Sequence, residues 1–305
     1  ERVSDNGEIN GFDYREFNID NVNTGKILIY LLEKTGEEKY KLAADAQYRQ
    51  LYNHPRTNEG NFWHKQIYPN QVWLDGLYMA MPFYASYVKL IKPELGYKDI
   101  INQFENVRKR MKDPKTGLYY HGYDESKNER WSNPESGLSK HFWSRAMGWF
   151  EMALIDTIEE IPKEEDTDTL EDILKETLNS LLKYQDKESK MWYQVIDRLA
   201  EEGNYLETSG TLMIAYAMMK GARLKVLDSS YKALGAEVFE MTVKKYLDLE
   251  NNKLHGICGV AGLGNTPYRD GTYEYYISEK EIVNDHKGVG AFMMAYSEYC
   301  IFMAD

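Results

Sequence analysis

From Trp73 to Ile91 almost every position is apolar or aromatic, with Asp75, Ser86 and Lys89 as the polar exceptions. The run is far longer than a core strand needs, and a segment without a polar face has to be surrounded on all sides. It predicts an inner helix packed among other helices. Residues 167 to 185 follow a different rule. There Leu170, Ile173, Leu174, Leu178, Leu181 and Leu182 recur at helical spacing on one stripe, while Glu171, Lys175 and Glu176 face elsewhere. That stripe predicts an outer helix, with one face on the core and the other in water.

The two patterns alternate along the chain. Inner candidates begin near residues 21, 73, 142, 207 and 287, and outer candidates lie near 37 to 53, 96 to 112, 167 to 185 and 229 to 247. Loops after outer helices resemble one another, Asp113-Pro114-Lys115-Thr116-Gly117-Leu118 echoing Asp186-Lys187-Glu188-Ser189-Lys190-Met191. Repeated helix pairs bury their apolar faces by stacking on neighbours. Inner helices that are apolar all round call for a closed ring inside an outer wall, so the expected fold is all-α, an (α/α)6 toroid. Eight prolines in 305 residues leave long helices unbroken, the usual share being roughly 5%. Nine candidate helices fall short of the twelve of a toroid, and the remaining three are expected before Glu1. No Gly-, Ser- or Pro-rich linker divides the chain, so a single domain over residues 1–305 is expected.

A formal net charge of -12 repels nucleic-acid phosphates and anionic lipid, so neither is an expected partner. An anionic ligand would need a local basic pocket. No apolar run approaches the ~18 residues of a membrane span, the longest clean one being Leu212 to Met219. The residues after Glu1 carry no hydrophobic signal core. Cys258 and Cys300, the two cysteines, have no zinc-type spacing and read as reduced thiols. These features point to a cytoplasmic protein, monomeric or weakly homo-oligomeric. There is no G-x-S-x-G elbow, Walker loop or H-E-x-x-H motif, and the nucleotide and metalloprotease readings drop out.

If the inner helices run parallel, their starts gather at one rim, where the polar residues are Asp20, Asp75, Arg145, Thr208 with Ser209, and Asp285 with His286. Loops before the same helices add Trp63-His64-Lys65, His121-Gly122-Tyr123-Asp124 and His141-Phe142-Trp143. Aromatic faces cover the C–H edges of sugars and cations meet carboxylates, so this mixture suits a sugar acid. Asp75 stands among large apolar side chains, where desolvation raises a carboxyl pKa; the helix N-terminus opposes this, and the net sign depends on how dry the pocket is. Helix capping is an alternative task for Asp75, and for Asp20 among its Asn and Thr neighbours an equally good one. His64 and His121 are either loop histidines or site residues, without the spacing of a metal pair. A buried Arg145 requires an anion or carbonyl partner, in a salt bridge or in a site. Trp73, Trp143 and Trp149 fit core or sugar platform.

Taken together, five stretches resemble the unsaturated rhamnogalacturonyl hydrolases of glycoside hydrolase family 105, relatives of the unsaturated glucuronyl hydrolases. They are Ile19-Asp20-Asn21-Val22-Asn23-Thr24-Gly25, Trp73-Leu74-Asp75-Gly76-Leu77-Tyr78-Met79, Tyr120-His121-Gly122-Tyr123-Asp124-Glu125, Trp143-Ser144-Arg145-Ala146-Met147-Gly148-Trp149 and Val283-Asn284-Asp285-His286. The resemblance spans essentially the whole chain. It implies an (α/α)6 fold with Asp75 as the proton-donating acid and Asp20 as a second essential carboxylate. His64, Lys65, Trp73, His121, Trp143, Arg145 and Trp149 would contact the sugars. It also implies that the substrate is a short oligosaccharide ending in a 4,5-unsaturated uronic acid, and that no metal or organic cofactor takes part. The competing expectations are another toroid sugar enzyme, such as an epimerase or endo-glucanase, and a ring that binds oligosaccharides without chemistry.

Overall fold

The computed structural model of the chain describes residues 2–304, and its regular secondary structure is almost wholly helical. In chain order these are α1 (Gly25–Thr35), α2 (Glu38–Asn53), α3 (Leu74–Leu90), α4 (Lys98–Met111), α5 (Ser144–Glu160), α6 (Asp168–Lys183), α7 (Thr208–Arg223), α8 (Ser230–Tyr246), α9 (Tyr273–Ser278) and α10 (His286–Ala304). A 3-10 segment, Ile19–Thr24, leads into α1. Two short antiparallel pairs complete the fold: β1 (Gln71–Trp73) with β2 (Gly122–Asp124), and β3 (Leu247–Asp248) with β4 (Lys253–Leu254).

Helices α1, α3, α5, α7 and α10 pack side by side as an inner wall, and α2, α4, α6 and α8 lie outside it. The burial follows the sequence pattern. In α5, 14 of 17 residues are buried, whereas α6 buries 7 of 16, among them Leu170, Ile173, Leu174, Leu178 and Leu181 on its inward stripe. The inner helices run parallel. Their first turns bring Asp75, Arg145 and His286 to one cavity, while Glu33, Ser86, Asp156 and Lys220, from late in the same wall, share another at the opposite end. This is the (α/α) toroid arrangement.

One inner helix departs from expectation. Although α10 is apolar all round, it buries only Gly288, Ala291, Ala295 and Glu298, and Met293, Tyr296 and Met303 stay exposed. The reason is position: α10 rests on α7 and α8, α1 rests on α2 and α3, and Ile27 and Tyr30 of α1 are likewise exposed. These two helices border the seam of the ring, where the described residues provide no further neighbour. Short α9 and both strand pairs were not expected. Among the described residues no helix is long and apolar enough to cross a membrane. Cys258 is buried, Cys300 is exposed, and both are free thiols.

The repeated loops are one turn used three times. Asp113 Oδ2 accepts from the backbone N–H and the hydroxyl of Thr116, at 2.9 and 2.7 Å, and Asp186 Oδ2 does the same for Ser189 at 2.8 and 2.6 Å. Asn133 opens a third copy, accepting from the N–H of Glu135 and of Ser136. The fifth residue of each turn has positive φ, 76° at Gly117, 79° at Gly137 and 62° at Lys190. A side chain at Gly117 would also strike Ser180 of α6. We therefore expect Gly117→Ala to lose about 2 kcal/mol, from backbone strain together with overpacking. Lys190→Gly should hold or gain stability. Urea midpoints decide the matter, and a Gly117→Ala protein as stable as wild type would mean that Ser180 yields without cost.

Candidate active site

Asp20, His64, Lys65, Trp73, Asp75, Trp143, Arg145 and Trp149 all line one cavity of ≈ 480 Å³ at the N-terminal end of the inner wall. His121 does not line it. Fully buried, it stands behind Asp75, with Nε2 3.4 Å from Asp75 Oδ2. Local structure explains the placement. Strand β1 runs directly into α3, and its pairing with β2 continues through the bond from the Leu74 N–H to the His121 carbonyl, at 3.2 Å. Trp73, Asp75 and His121 are thereby brought to one corner.

Neither carboxylate caps a helix. Asp75 is the second residue of α3, and its Oδ2 is buried without an aligned hydrogen-bond partner. For the 3-10 segment the cap is Asn18, which accepts from the Asp20 N–H at 3.1 Å. Asp20 itself sits at the rim, 2.6 Å from Lys65 Nζ and 3.6 Å from His64 Nε2. Gly76 lets His64 close in, since a Cβ there would lie 3.1 Å from its Nδ1. His64, Trp73 and Tyr68 form a stack of nearly parallel rings, with centroids 4.5 and 5.0 Å apart, and Trp149 stacks on Tyr78 at 4.6 Å. Faces of this kind suit the C–H edges of sugars.

The direction of the Asp75 pKa departs from the desolvation argument. Burial pushes it up, but the imidazoles of His121 and His64 beside it push it down further. The carboxyl is held below its ordinary range. Arg145 is 1% exposed and has carbonyl rather than carboxylate partners. Its Nη1 donates to Cys258 O at 2.5 Å and to Ser209 Oγ at 3.3 Å, and Nη2 donates to Gly259 O at 3.2 Å. Its Nε has no partner. Glu207, buried at the start of α7, accepts from the N–H groups of Ser209, Gly210 and Cys258. Together these groups clamp Cys258 and Gly259, and the next two residues, Val260 and Ala261, form part of the cavity wall.

Two residues here escaped the sequence reading. Arg269 lines the cavity, its guanidinium donating to Gly264 O and to the Tyr68 hydroxyl at 3.1 and 3.2 Å. Tyr276 of α9 is fully buried, with its hydroxyl 2.7 Å from His121 Nδ1. Both belong to an aperiodic stretch between α8 and α10, where the only signal was a cluster of tyrosines beside a lone arginine.

The sequence profile of Glycosyl Hydrolase Family 88 matches residues 1–303. Among curated proteins, Protein Atu3128 of Agrobacterium fabrum is 40% identical over 230 residues, covering 72% of this chain and 97% of that protein. The unsaturated rhamnogalacturonyl hydrolase YesR of Bacillus subtilis is 30% identical over 213 residues, covering 68% of this chain and 59% of YesR. A family 105 glycoside hydrolase from C. acetobutylicum superposes with a TM-score of 0.94 at 51% identity, covering 97% of this chain and 84% of that one.

Beside the cavity, His54 is nearly fully buried and lies 2.8 Å through Nε2 from the Trp63 carbonyl. Burial drives its pKa down to about 4. A folded value below the unfolded ~6.5 means that the unfolded chain binds the extra proton, so the stabilisation is complete above pH ~6.5 and is lost as pH falls toward 4. Glu151 of α5, buried with both oxygens unpartnered, is shifted up and has the opposite slope. We therefore expect the stability difference between wild type and His54→Gln, in which Glu151 cancels, to shrink by up to about 3 kcal/mol between pH 7 and 4. Unfolding curves at stepped pH measure it, and a constant difference would mean that folding leaves the His54 pKa unchanged.

Proposed function

The chain is a glycoside hydrolase belonging to Glycosyl Hydrolase Family 88, an unsaturated uronyl hydrolase family, and on that premise we propose that it removes a 4,5-unsaturated galacturonic acid from the non-reducing end of a rhamnogalacturonan fragment. The observation that carries this is the acid pair. Asp75, half-buried with its Oδ2 enclosed, and Asp20, ion-paired at the rim, line the same cavity between aromatic faces. The name of YesR supports a rhamnogalacturonan fragment as the substrate.

The bond attacked is a vinyl ether, so the chemistry differs from hydrolysis by an acid and a nucleophile flanking a glycosidic bond. Asp75 delivers a proton to C4, and positive charge develops at C5 and the ring oxygen. Water adds at C5 and gives up a proton, which Asp75, now a carboxylate, accepts. The hemiketal opens to a ketone at C5, and the hydroxyl released at C1 leaves a hemiacetal that expels the remaining sugar. Asp20, ion-paired with Lys65, orients the water and opposes the charge at C5. The free Nε of Arg145 meets the uronate carboxylate, its other nitrogens being committed to the 257–259 loop. Trp73, Trp143 and Trp149 hold the ring faces, and His64 and Lys65 bound the rim.

An anionic Asp75 at rest has to take up a proton before reaction. The bound uronate promotes this, because a second negative charge in a closed pocket raises the pKa of the first. The rate is therefore expected to fall as pH rises past the acid's pKa in the complex. The test is to follow the ultraviolet absorbance of the conjugated double bond in a panel of lyase-generated unsaturated disaccharides, with a chelator present. Loss of absorbance is expected with unsaturated galacturonyl-rhamnose, and Asp75→Asn, folded, should be slower by ~10²–10⁴-fold or more. A folded Asp75→Asn enzyme of near-normal turnover would move the acid elsewhere.

A further inference from the structure

Asp75, His121 and Tyr276 form a chain leading away from the cavity: Asp75 Oδ2 to His121 Nε2 at 3.4 Å, then His121 Nδ1 to the Tyr276 hydroxyl at 2.7 Å. His121 and Tyr276 are fully buried. Among the described residues the tyrosine hydroxyl has no other hydrogen-bond partner, and His121 Nε2 has no aligned one. Which nitrogen of the imidazole carries the proton follows from what each alternative leaves unpaired. If Nδ1 held it, that N–H would donate to the phenol oxygen, and the phenol O–H would be buried with nowhere to go. An orphaned buried donor is costly. If Nε2 holds it, the phenol donates to a bare Nδ1 and the Nε2 N–H faces the Asp75 oxygen, which otherwise lacks a donor. The second arrangement leaves no buried donor without an acceptor in front of it.

We propose that Tyr276 is a positioning residue that locks Nδ1 of His121 as an acceptor and Nε2 as the donor, so that the same N–H faces Asp75 throughout the reaction. This rests on Asp75 being the acid of the proposed function. As Asp75 gives up its proton, negative charge grows on its carboxylate, and the fixed N–H meets that charge without any group having to reorient. The lock makes Asp75 a stronger acid at the expense of the pH range over which it stays protonated. Other groups with a field on this chain are His64 from the loop before β1, and Cys258, Arg269 and Tyr275 from the segment between α8 and α10. The lock is itself held. The Tyr276 carbonyl accepts from Gln194 Nε2 at 3.2 Å, and Gln194 Oε1 accepts from the Trp143 indole at 3.0 Å.

Removing the phenol oxygen separates this role from simple packing. In Tyr276→Phe the tautomer is released and Asp75 loses part of its donor. The falling limb of the pH–rate profile should move up by about 0.5–1 unit, while the low-pH plateau drops roughly 3–10-fold, so that the profile crosses toward wild type at high pH. A packing defect would lower the rate equally at every pH. The tautomer is read directly by nitrogen NMR of 15N-histidine-labelled wild-type protein without substrate, the His121 signals being identified by their absence in His121→Gln. A bare Nδ1 and a protonated Nε2 are expected. A protonated Nδ1 in the wild type, or a Tyr276→Phe limb that stays in place or moves down, overturns the lock. Turnover by Asp75→Asn would instead overturn the assignment of the acid, leaving the tautomer result as it stands.

Discussion

A carboxyl group with one oxygen enclosed at the start of an apolar helix sets the terms for the rest of this molecule. The inner wall buries side chains on all sides of α3, α5 and α7, so charge is tolerated mainly at the helix ends. Asp75 occupies such an end, with one oxygen lacking an aligned partner. What surrounds it answers that constraint. β1 feeds α3 and pairs with β2, which brings His121 against the carboxylate. Gly76 admits His64, and the aromatic stack closes over it. The cost of desolvation is thus countered from behind, by an imidazole N–H out of reach of solvent.

The same constraint governs how an acidic protein receives an acidic sugar. With a net charge of -12, long-range attraction is absent and the cavity has to carry its own positive charge. Lys65 is matched by Asp20, and Lys287 by Asp285 at 2.9 Å. Arg145 and Arg269 are held by carbonyl and hydroxyl oxygens rather than by a direct ion pair with a carboxylate. Burying Arg145 among carbonyls does two things at once. It fixes the loop behind Val260 and Ala261, and it leaves a cation whose Nε is still free.

The ring was legible in the sequence because helix burial is a periodic property. A segment apolar on every face, such as α5, reads differently from the single stripe of α6. The rim residues were legible for the same reason, as the few polar groups at inner-helix starts. Apolarity alone misjudged α10, whose exposure is set by absent neighbours rather than by its own residues. The stretch between α8 and α10 has no period, so Arg269 and Tyr276 gave no positional signal. Nor was the direction of the Asp75 pKa readable. It is decided by His121, distant in sequence and brought close by a strand pair of three residues each, too short to announce itself. Likewise the capping alternatives for Asp20 and Asp75 were settled by geometry, since capping depends on where one oxygen points.

The central claim is that a proton from Asp75 arrives at C4 of a bound unsaturated uronic acid. The most direct test is turnover of unsaturated galacturonyl-rhamnose in D2O, with the released acid examined by NMR. A fixed donor on one wall of the cavity should leave a single deuterium at C4, on one face only, in a product with a ketone at C5. A released sugar acid that still holds its C4=C5 double bond, or deuterium spread over both faces of C4 from the first turnover, would contradict the account.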